Sequence, residues 1–327
     1  MQLDFAFTSS RLRTLRSGAV IVPDAPAILR IEGPGALSCL QGLLTGDLVG
    51  PGDGSMVYGA LLTPKGMIVA DVWALRESTG FLLVFANPAR HAVLALLARS
   101  LPPRLAGVKD LSDAGRAAWV LGAPAADRLA RALRGVVPGA GKVLRSADGE
   151  VLLAGGPDQA PFRALALGRA PAIDHMVEAA LRAGIQPGEE KDLAASRVLG
   201  GWPTIGREID EKTLPQEVRF DEHGGVSYTK GCYTGQETVA RIHFRGHVNR
   251  HLRGLVLKGG APPTDRVLVQ GDREVGTLRT ALLLEDRVVG LAMVRREVEG
   301  GAVVRVGESD AEVRELPFGP ESVGLPE

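Results

Sequence analysis

Aromatic residues are scarce: Phe, Trp and Tyr together make up 4% of 327 positions. The cores must therefore be built mainly from Leu, Val and Ala. Cysteine is scarcer still, at Cys39 and Cys232 only. Two cysteines cannot form a disulfide framework, so a reducing, cytoplasmic setting is expected. Net charge is absent, with Lys+Arg and Asp+Glu both at 38. That balance argues against a protein that coats nucleic acid or membrane and leaves room only for a local basic patch. No apolar run reaches the ~18 residues that span a bilayer. The start, Met1-Gln2-Leu3-Asp4-Phe5, has neither the basic nor the apolar region of a signal peptide. Motifs of a P-loop, a G-x-S-x-G elbow, a G-x-G-x-x-G turn and H-E-x-x-H are all missing. Their absence weakens nucleotide hydrolase, serine esterase, dinucleotide oxidoreductase and zincin readings.

What is present is an ordinary globular composition, 45% hydrophobic and 23% charged. The length predicts two or three domains. Ala27–Ile31 reads as a strand, and Gly33-Pro34-Gly35 turns it into a helix carrying Leu37, Leu40, Leu43 and Leu44, with Pro34 at its first position. Cys39 falls inside that helix as a packing residue. A meander follows: Met56–Leu62, Met67–Leu75 and Phe81–Phe85. Asn87-Pro88 opens a helix that Pro102-Pro103 stops. A second strand–turn–helix unit, from Ala118 to Leu133, echoes the first and suits an α+β domain with a split βαβ arrangement. Strands at Glu150–Ala154 and Arg163–Leu167 and helices at Pro171–Ala183 and Glu189–Leu199 come next. The polar stretch Trp202–Val226, with Glu208, Asp210, Glu211 and Glu217, reads as a solvated acidic loop or a functional one. From about residue 248, short strand-like runs separated by turns predict a small antiparallel barrel or sandwich. The tail Pro317-Phe318-Gly319-Pro320 is expected to fray.

The stretch Lys230-Gly231-Cys232-Tyr233-Thr234-Gly235-Gln236-Glu237 carries the most chemistry. Thr234 and Glu237 have capping-box spacing, which predicts a helix from Gly235 to about Ile242. Cys232 would then sit close to a helix N-terminus, with Lys230 and Arg241 nearby. Such surroundings favour a thiolate, and so a nucleophile or metal ligand. The other reading is a small, buried, inert side chain. His243, His247 and His251 are spaced four apart and could bind zinc on one helix face. Gly246 and the strand-like residues after Asn249 break that helix, so no metal site is expected. Arg241, Arg245, Arg250 and Arg253 form either a solvated linker or an anion site. No exposed aromatics are visible in the sequence to accompany them, which argues against direct nucleic-acid binding. Asp71 is a lone carboxylate on a strand, either an edge-exposed side chain or a tuned general base.

The octapeptide resembles the signature of the YgfZ-type folate-binding proteins, relatives of the glycine-cleavage T-protein (aminomethyltransferase) that support iron–sulfur enzymes. Leu40-Gln41-Gly42-Leu43-Leu44-Thr45-Gly46-Asp47, Thr63-Pro64-Lys65-Gly66, Leu214-Pro215-Gln216-Glu217, Val239-Ala240-Arg241 and Arg245-Gly246 extend the resemblance along nearly the whole chain. It implies an α+β fold in three parts around a central funnel that holds tetrahydrofolate or a derivative: a ferredoxin-like α+β domain, a second α+β domain and a C-terminal antiparallel β-barrel. In sequence these are expected at 1–105, 106–247 and 248–327, with the first two free to interleave. T-proteins carry two adjacent aspartates where this chain has Ala70-Asp71, so one of the pair is missing. Gly206-Arg207-Glu208-Ile209-Asp210-Glu211 resembles the T-protein G-x-x-x-D-E pattern and makes Glu211 the expected pterin partner. Lys230 and Arg241 are expected to meet the folate carboxylates or tune the thiol, with Glu217 and Tyr233 beside them.

The function implied is a tetrahydrofolate-binding accessory protein for assembly or repair of iron–sulfur enzymes, with Cys232 as the thiol. Its partners would be folate and iron–sulfur client or assembly proteins. Whether it performs a chemical step of its own is left open. One alternative is a folate-dependent aminomethyltransferase with Asp71 as acid–base residue. Another is a tRNA-modification helper that binds RNA through Arg241–Arg253.

Overall fold

A computed structural model describes residues 4–324 apart from 134 and 260–262. The chain opens with β1 (Asp4–Ala6), α1 (Ser9–Ser17), β2 (Val20–Asp24), β3 (Ala27–Glu32) and α2 (Ala36–Gln41). The meander β4 (Ser55–Leu62), β5 (Ile68–Glu77) and β6 (Gly80–Phe85) leads to α3 (Arg90–Ser100) and β7 (Gly107–Asp110). Then come β8 (Gly115–Leu121), α4 (Ala125–Ala132), β9 (Val143–Arg145), β10 (Val151–Gly155), β11 (Ala164–Arg169), α5 (Ala170–Arg182), β12 (Gln186–Pro187) and α6 (Glu190–Gly200). After a long connection stands α7 (Gln236–Arg245). β13 (Arg250–Lys258), β14 (Val267–Gln270), β15 (Arg273–Leu283), β16 (Arg287–Arg295), β17 (Val303–Val306) and β18 (Ser309–Arg314) finish the fold.

The strands form three sheets. One has the order β4-β5-β6-β3-β7 and another β12-β2-β8-β11-β10-β9. The third is a closed antiparallel barrel, β15-β14-β17-β18-β13-β16, in which β16 returns to pair with β15 and β1 adds in parallel. Membership crosses position 105 both ways: β2 pairs with β8, and β7 pairs with β3.

Strand alternation explains the packing, because successive side chains leave opposite faces of a strand. On β5, Ala70, Val72 and Ala74 pack in a cluster with Leu40 of α2 and Val93 and Leu97 of α3, while Trp73 and Leu75 point the other way. On β8, Ala118 and Val120 pack with Leu129 and Ile173 of α4 and α5, while Trp119 and Leu121 point inward. The two open sheets thus share one core and carry their helices outside. The barrel fills its own interior with Leu255, Leu257, Leu278 and Val288 and lends its outer Leu252, Leu282 and Met293 to the shared core. The few aromatics gather there. Tyr58 lies 4.8 Å from Trp73 and from Trp202 and 5.0 Å from Phe220, and Trp73 lies 4.9 Å from Phe162.

Three local expectations are corrected. The helix expected after Gly33-Pro34-Gly35, α2, is capped at Gly35 and ends at Gln41, so Pro34 lies outside it. The tail does not fray: Phe318 and Val323 are buried, and the Phe318 amide donates to the Leu199 carbonyl at 2.9 Å. The acidic connection is not a solvated loop either. Glu208 and Glu217 are buried, because Thr280 donates to Glu208 and Arg250 pairs with Glu217. Among the described residues no helix is long and apolar enough to cross a membrane.

Candidate functional site

Asp71 lies opposite Ala60 in the β4–β5 ladder, on the face of β5 that also carries Trp73. It is buried beside the buried Tyr58 hydroxyl, with which it interacts, but neither its Oδ1 nor that hydroxyl makes a well-formed hydrogen bond. An edge-exposed position for Asp71 is thereby excluded. Burial pushes the Asp71 carboxyl above its ordinary proton affinity, and the Arg197 charge opposes that shift. Burial, then the neighbouring Asp71 charge, raises the Tyr58 phenol. Asp71 opens onto a cavity of about 250 Å³ whose lining includes Trp73, Trp119, Asn87, Arg197 and Arg207. Arg197, on α6, donates to Thr204 at 3.1 Å, and Trp119 donates to Asp24 at 2.8 Å, so side chains of the cavity lining hold one another.

A second cavity of about 870 Å³ is lined in part by Phe162, Arg219 and His223. Phe162 meets Trp73, and His223 stacks on Trp202 at 4.0 Å, so an aromatic wall separates the two hollows. Burial, reinforced by Arg219, lowers the His223 pKa to about 4. The neutral ring donates its Nε2 proton to the Gly201 carbonyl at 3.0 Å, leaving Nδ1 buried as an unpaired acceptor.

The Cys232 stretch occupies a different face. Lys230 Nζ donates to the carbonyls of Leu44 at 2.7 Å and Gly46 at 3.0 Å, beyond the C-terminal end of α2. The Thr234 amide donates to Gly42, also at 3.0 Å. Thr45 binds the Gly225 carbonyl at 2.5 Å through its hydroxyl and accepts from the Ala60 amide at 2.7 Å. Gly235 takes φ +82°, and a Cβ there would meet the Thr63 carbonyl oxygen at 2.7 Å and Gly66 Cα at 3.1 Å. Three of the sequence motifs thus converge: the residue 40–47 segment, the Thr63–Gly66 turn and the cysteine octapeptide. Tyr233 is buried, with its phenol raised to about 12 by burial and then Asp221, and Lys230 stands 5.2 Å over its ring. Burial lowers Lys230 to about 8 against the attraction of Asp47. Cys232 is exposed at the apex of this anchored loop, and Cys39 is half-buried.

The capping box is not formed. Gly235 caps α7, no side chain bonds the cap, and the helix runs from Gln236 to Arg245. Left-handed backbone at Gly235 turns the chain tightly against the Thr63–Gly66 hairpin, which only glycine does without strain. The three histidines do not share a helix face, since α7 stops at Arg245 and His251 lies on β13. Among the described residues no group of three His, Cys, Asp or Glu side chains gathers.

The remaining candidates separate. Glu217 forms a bidentate pair with Arg250, at 2.8 and 3.1 Å, and accepts from the Leu214 amide at 3.0 Å. Glu211 and Arg241 are exposed, and neither is among the residues that line the Asp71 cavity. Asp71 and Cys232 are not brought together, because Cys232 does not line that cavity. Sequence reasoning missed Tyr58, Trp73, Trp119 and Arg197. Parity was the available signal for Trp73, two residues beyond Asp71 on one strand.

Comparison with known proteins agrees with this architecture. The family model described as the GCVT N-terminal domain matches residues 15–149. A relative named tRNA-modifying protein YgfZ, from Enterobacter sp. (strain 638), is 29% identical across 89% of this chain and 90% of its own. Its namesake from Klebsiella pneumoniae (strain 342) is 28% identical over the same shares. The crystal structure of glycine cleavage system aminomethyltransferase T from Bartonella henselae superposes with a TM-score of 0.81 over 94% of this chain and 88% of that one. Identity there is 18%, so that likeness is one of fold. The N-terminal model, the full-length relatives and the fold agree: along most of its length the chain is similar to the YgfZ-named relatives and to the glycine-cleavage T-protein fold.

Proposed function

We propose that the chain is a tetrahydrofolate-binding accessory protein for assembly or repair of iron–sulfur enzymes, with the Asp71 cavity as its pterin site and Cys232 as its thiol. The observation that carries this reading is the buried Asp71 carboxylate, one oxygen of which makes no well-formed hydrogen bond although the Tyr58 hydroxyl lies beside it. A pterin offers two adjacent N–H donors on one edge, which a carboxylate accepts together. Trp73 and Trp119 supply flat apolar walls, and about 250 Å³ suits a bicyclic head with the tail outside. Asp71 therefore takes the role expected of Glu211, and Arg197 supplies the positive charge in the same hollow. When bound, tetrahydrofolate supplies a carrier for one-carbon units. Three units, one per sheet, would frame the site.

Cys232 stands exposed on a loop whose flanks are fixed by Lys230 and Thr234. A soft, accessible sulfur suits transient contact with iron or a cluster, although one thiol cannot hold a four-thiolate cluster by itself. The relatives' name makes tRNA modification the process that such client enzymes would serve, in the cytoplasm. Aminomethyl transfer is the second reading, favoured by the raised proton affinity of the buried Asp71.

Titration with reduced folates tests the proposal. Asp71→Asn should lose affinity, whereas Glu211→Ala, Arg241→Ala and Cys232→Ala should bind like the wild type. Unchanged affinity in Asp71→Asn would remove the pterin assignment. Formation of methylenetetrahydrofolate from an aminomethyl-carrier substrate, lost in Asp71→Asn and kept in Cys232→Ala, would decide for the transferase.

A further inference from the structure

α7 carries a surface that neither the cavity nor the thiol uses. Tyr228, from the segment before Cys232, stacks on His243 with centroids 3.6 Å apart and 18° between the planes. Phe244 stands edge-on to both rings, 5.9 Å from Tyr228 and 4.7 Å from His243, and is 66% exposed. The platform is held from behind. Tyr228 donates to Asp221 at 2.6 Å, and the Gln216 amide donates to the Tyr228 hydroxyl at 3.3 Å and to the Val239 carbonyl at 2.9 Å. Three aromatic rings meeting at the surface contrast with a chain in which aromatics are otherwise mostly spent on the shared core.

Charge distinguishes the same face. Arg250 is held by Glu217 and Arg253 by Glu315. Among the described residues no ion pair holds Arg241 or Arg245, and both are exposed. Helical spacing puts Arg241, Phe244 and Arg245 on one side of α7. Exposed His247 follows, and exposed Lys65 extends the basic rim on the turn that packs against Thr238. Of the nearby acids, Asp221 is engaged by Tyr228, and Glu237 lies one turn before Arg241.

We propose that this face of α7 binds single-stranded RNA, with a base stacked on Phe244 and phosphates met by Arg241 and Arg245. Stacking on an exposed ring beside free guanidinium groups is how unpaired bases are captured, and loops with unstacked bases are common in folded RNA. An acidic protein segment would satisfy the arginines but would make no comparable use of the ring platform.

The test is fluorescence anisotropy of a labelled, unstructured RNA dodecamer at about 50 and 200 mM salt, with the intact chain. Binding should weaken steeply with salt. Phe244→Ala should lose about tenfold in affinity, and Phe244→Trp should retain it. Arg241→Gln and Arg245→Gln should each flatten the salt slope by about one. All three positions are exposed, so unchanged melting temperatures would show that the variants are folded. No binding at low salt, binding indifferent to Phe244→Ala, or tighter binding of the duplex or of the matching DNA strand would overturn the proposal.

Discussion

The Asp71 cavity and the Cys232 loop handle polar groups in opposite ways. In the cavity, a carboxylate oxygen and the nearby Tyr58 hydroxyl are buried side by side without a well-formed hydrogen bond. On the loop, the ammonium of Lys230, the Thr234 amide and the Thr45 hydroxyl are all committed to holding chain to chain, and the thiol alone projects. A buried polar atom without a well-formed hydrogen bond costs about 1–3 kcal/mol, which a ligand entering the hollow beside Asp71 would relieve. Fully committed polar groups mark a scaffold. On the proposed function, ligand recognition would fall to one region and presentation of the thiol to the other.

The scaffold side should break hardest at Glu217. Glu217→Ala leaves half-buried Arg250 with only the more distant Asp210 carboxylate and the Leu214 amide unpaired, at a cost of about 2 kcal/mol in denaturant unfolding. A loss below about 1 kcal/mol would mean that solvent screens the pair.

On the cavity side the sign reverses. Asp71→Asn should weaken reduced folates about thirtyfold, near 2 kcal/mol, without lowering the melting temperature at pH 7. The folded carboxyl has its proton affinity raised by burial, with Arg197 opposing. Between the unfolded and folded values the folded state holds more protons, so stability falls as pH rises, and the penalty persists above that window. Asn avoids it, so the variant should gain on the wild type between acid and neutral pH. A destabilised Asp71→Asn would recast Asp71 as part of the scaffold.

Lys230→Met should cost about 1 kcal/mol, discounted for a half-exposed group, and should change the rate at which Cys232 is alkylated by a neutral reagent. Burial puts Lys230 near 8, below its unfolded value, so its proton linkage makes stability rise with pH from about 8 towards 10. The variant should lack that slope. An unchanged alkylation rate would separate the lysine from the presentation of the thiol. Smallest of all, Thr234→Ala should cost less than about 0.5 kcal/mol, because Gly235 and not Thr234 caps α7. A loss near 1 kcal/mol, typical of a true cap, would restore the capping box.

Much of this was legible because strong local patterns and packing agreed. The β4–β6 meander, α5, α6 and β13–β17 fall where periodicity and turn chemistry put them. No expectation was drawn for α1, β2, β7 and β9, and three further missed elements have little local signal. β1 is three residues long and pairs with Ala281–Leu283 far along the chain, and β12 is two residues long. β18 was missed because Ser309–Arg314 buries only Ala311 and Val313. The octapeptide does meet two other motifs in space, but its T-x-x-E spacing does not reveal that the next glycine lies left-handed against a hairpin. Asp71 read as a lone carboxylate because β5 is buried on both faces, which hides the alternation that pairs it with Trp73. No sequence signal made Glu211 exposed and Asp71 buried; the barrel and α6 decide that by what they cover.

The most direct measurement of the division between the two regions is quenching of tryptophan fluorescence by a reduced folate. The chain's three tryptophans all lie in the aromatic cluster around the cavity. Saturable quenching is predicted for the wild type and for Cys232→Ala alike, shifted to at least tenfold higher concentration in Asp71→Asn. Equal titrations for wild type and Asp71→Asn, with quenching lost in Cys232→Ala, would contradict the account.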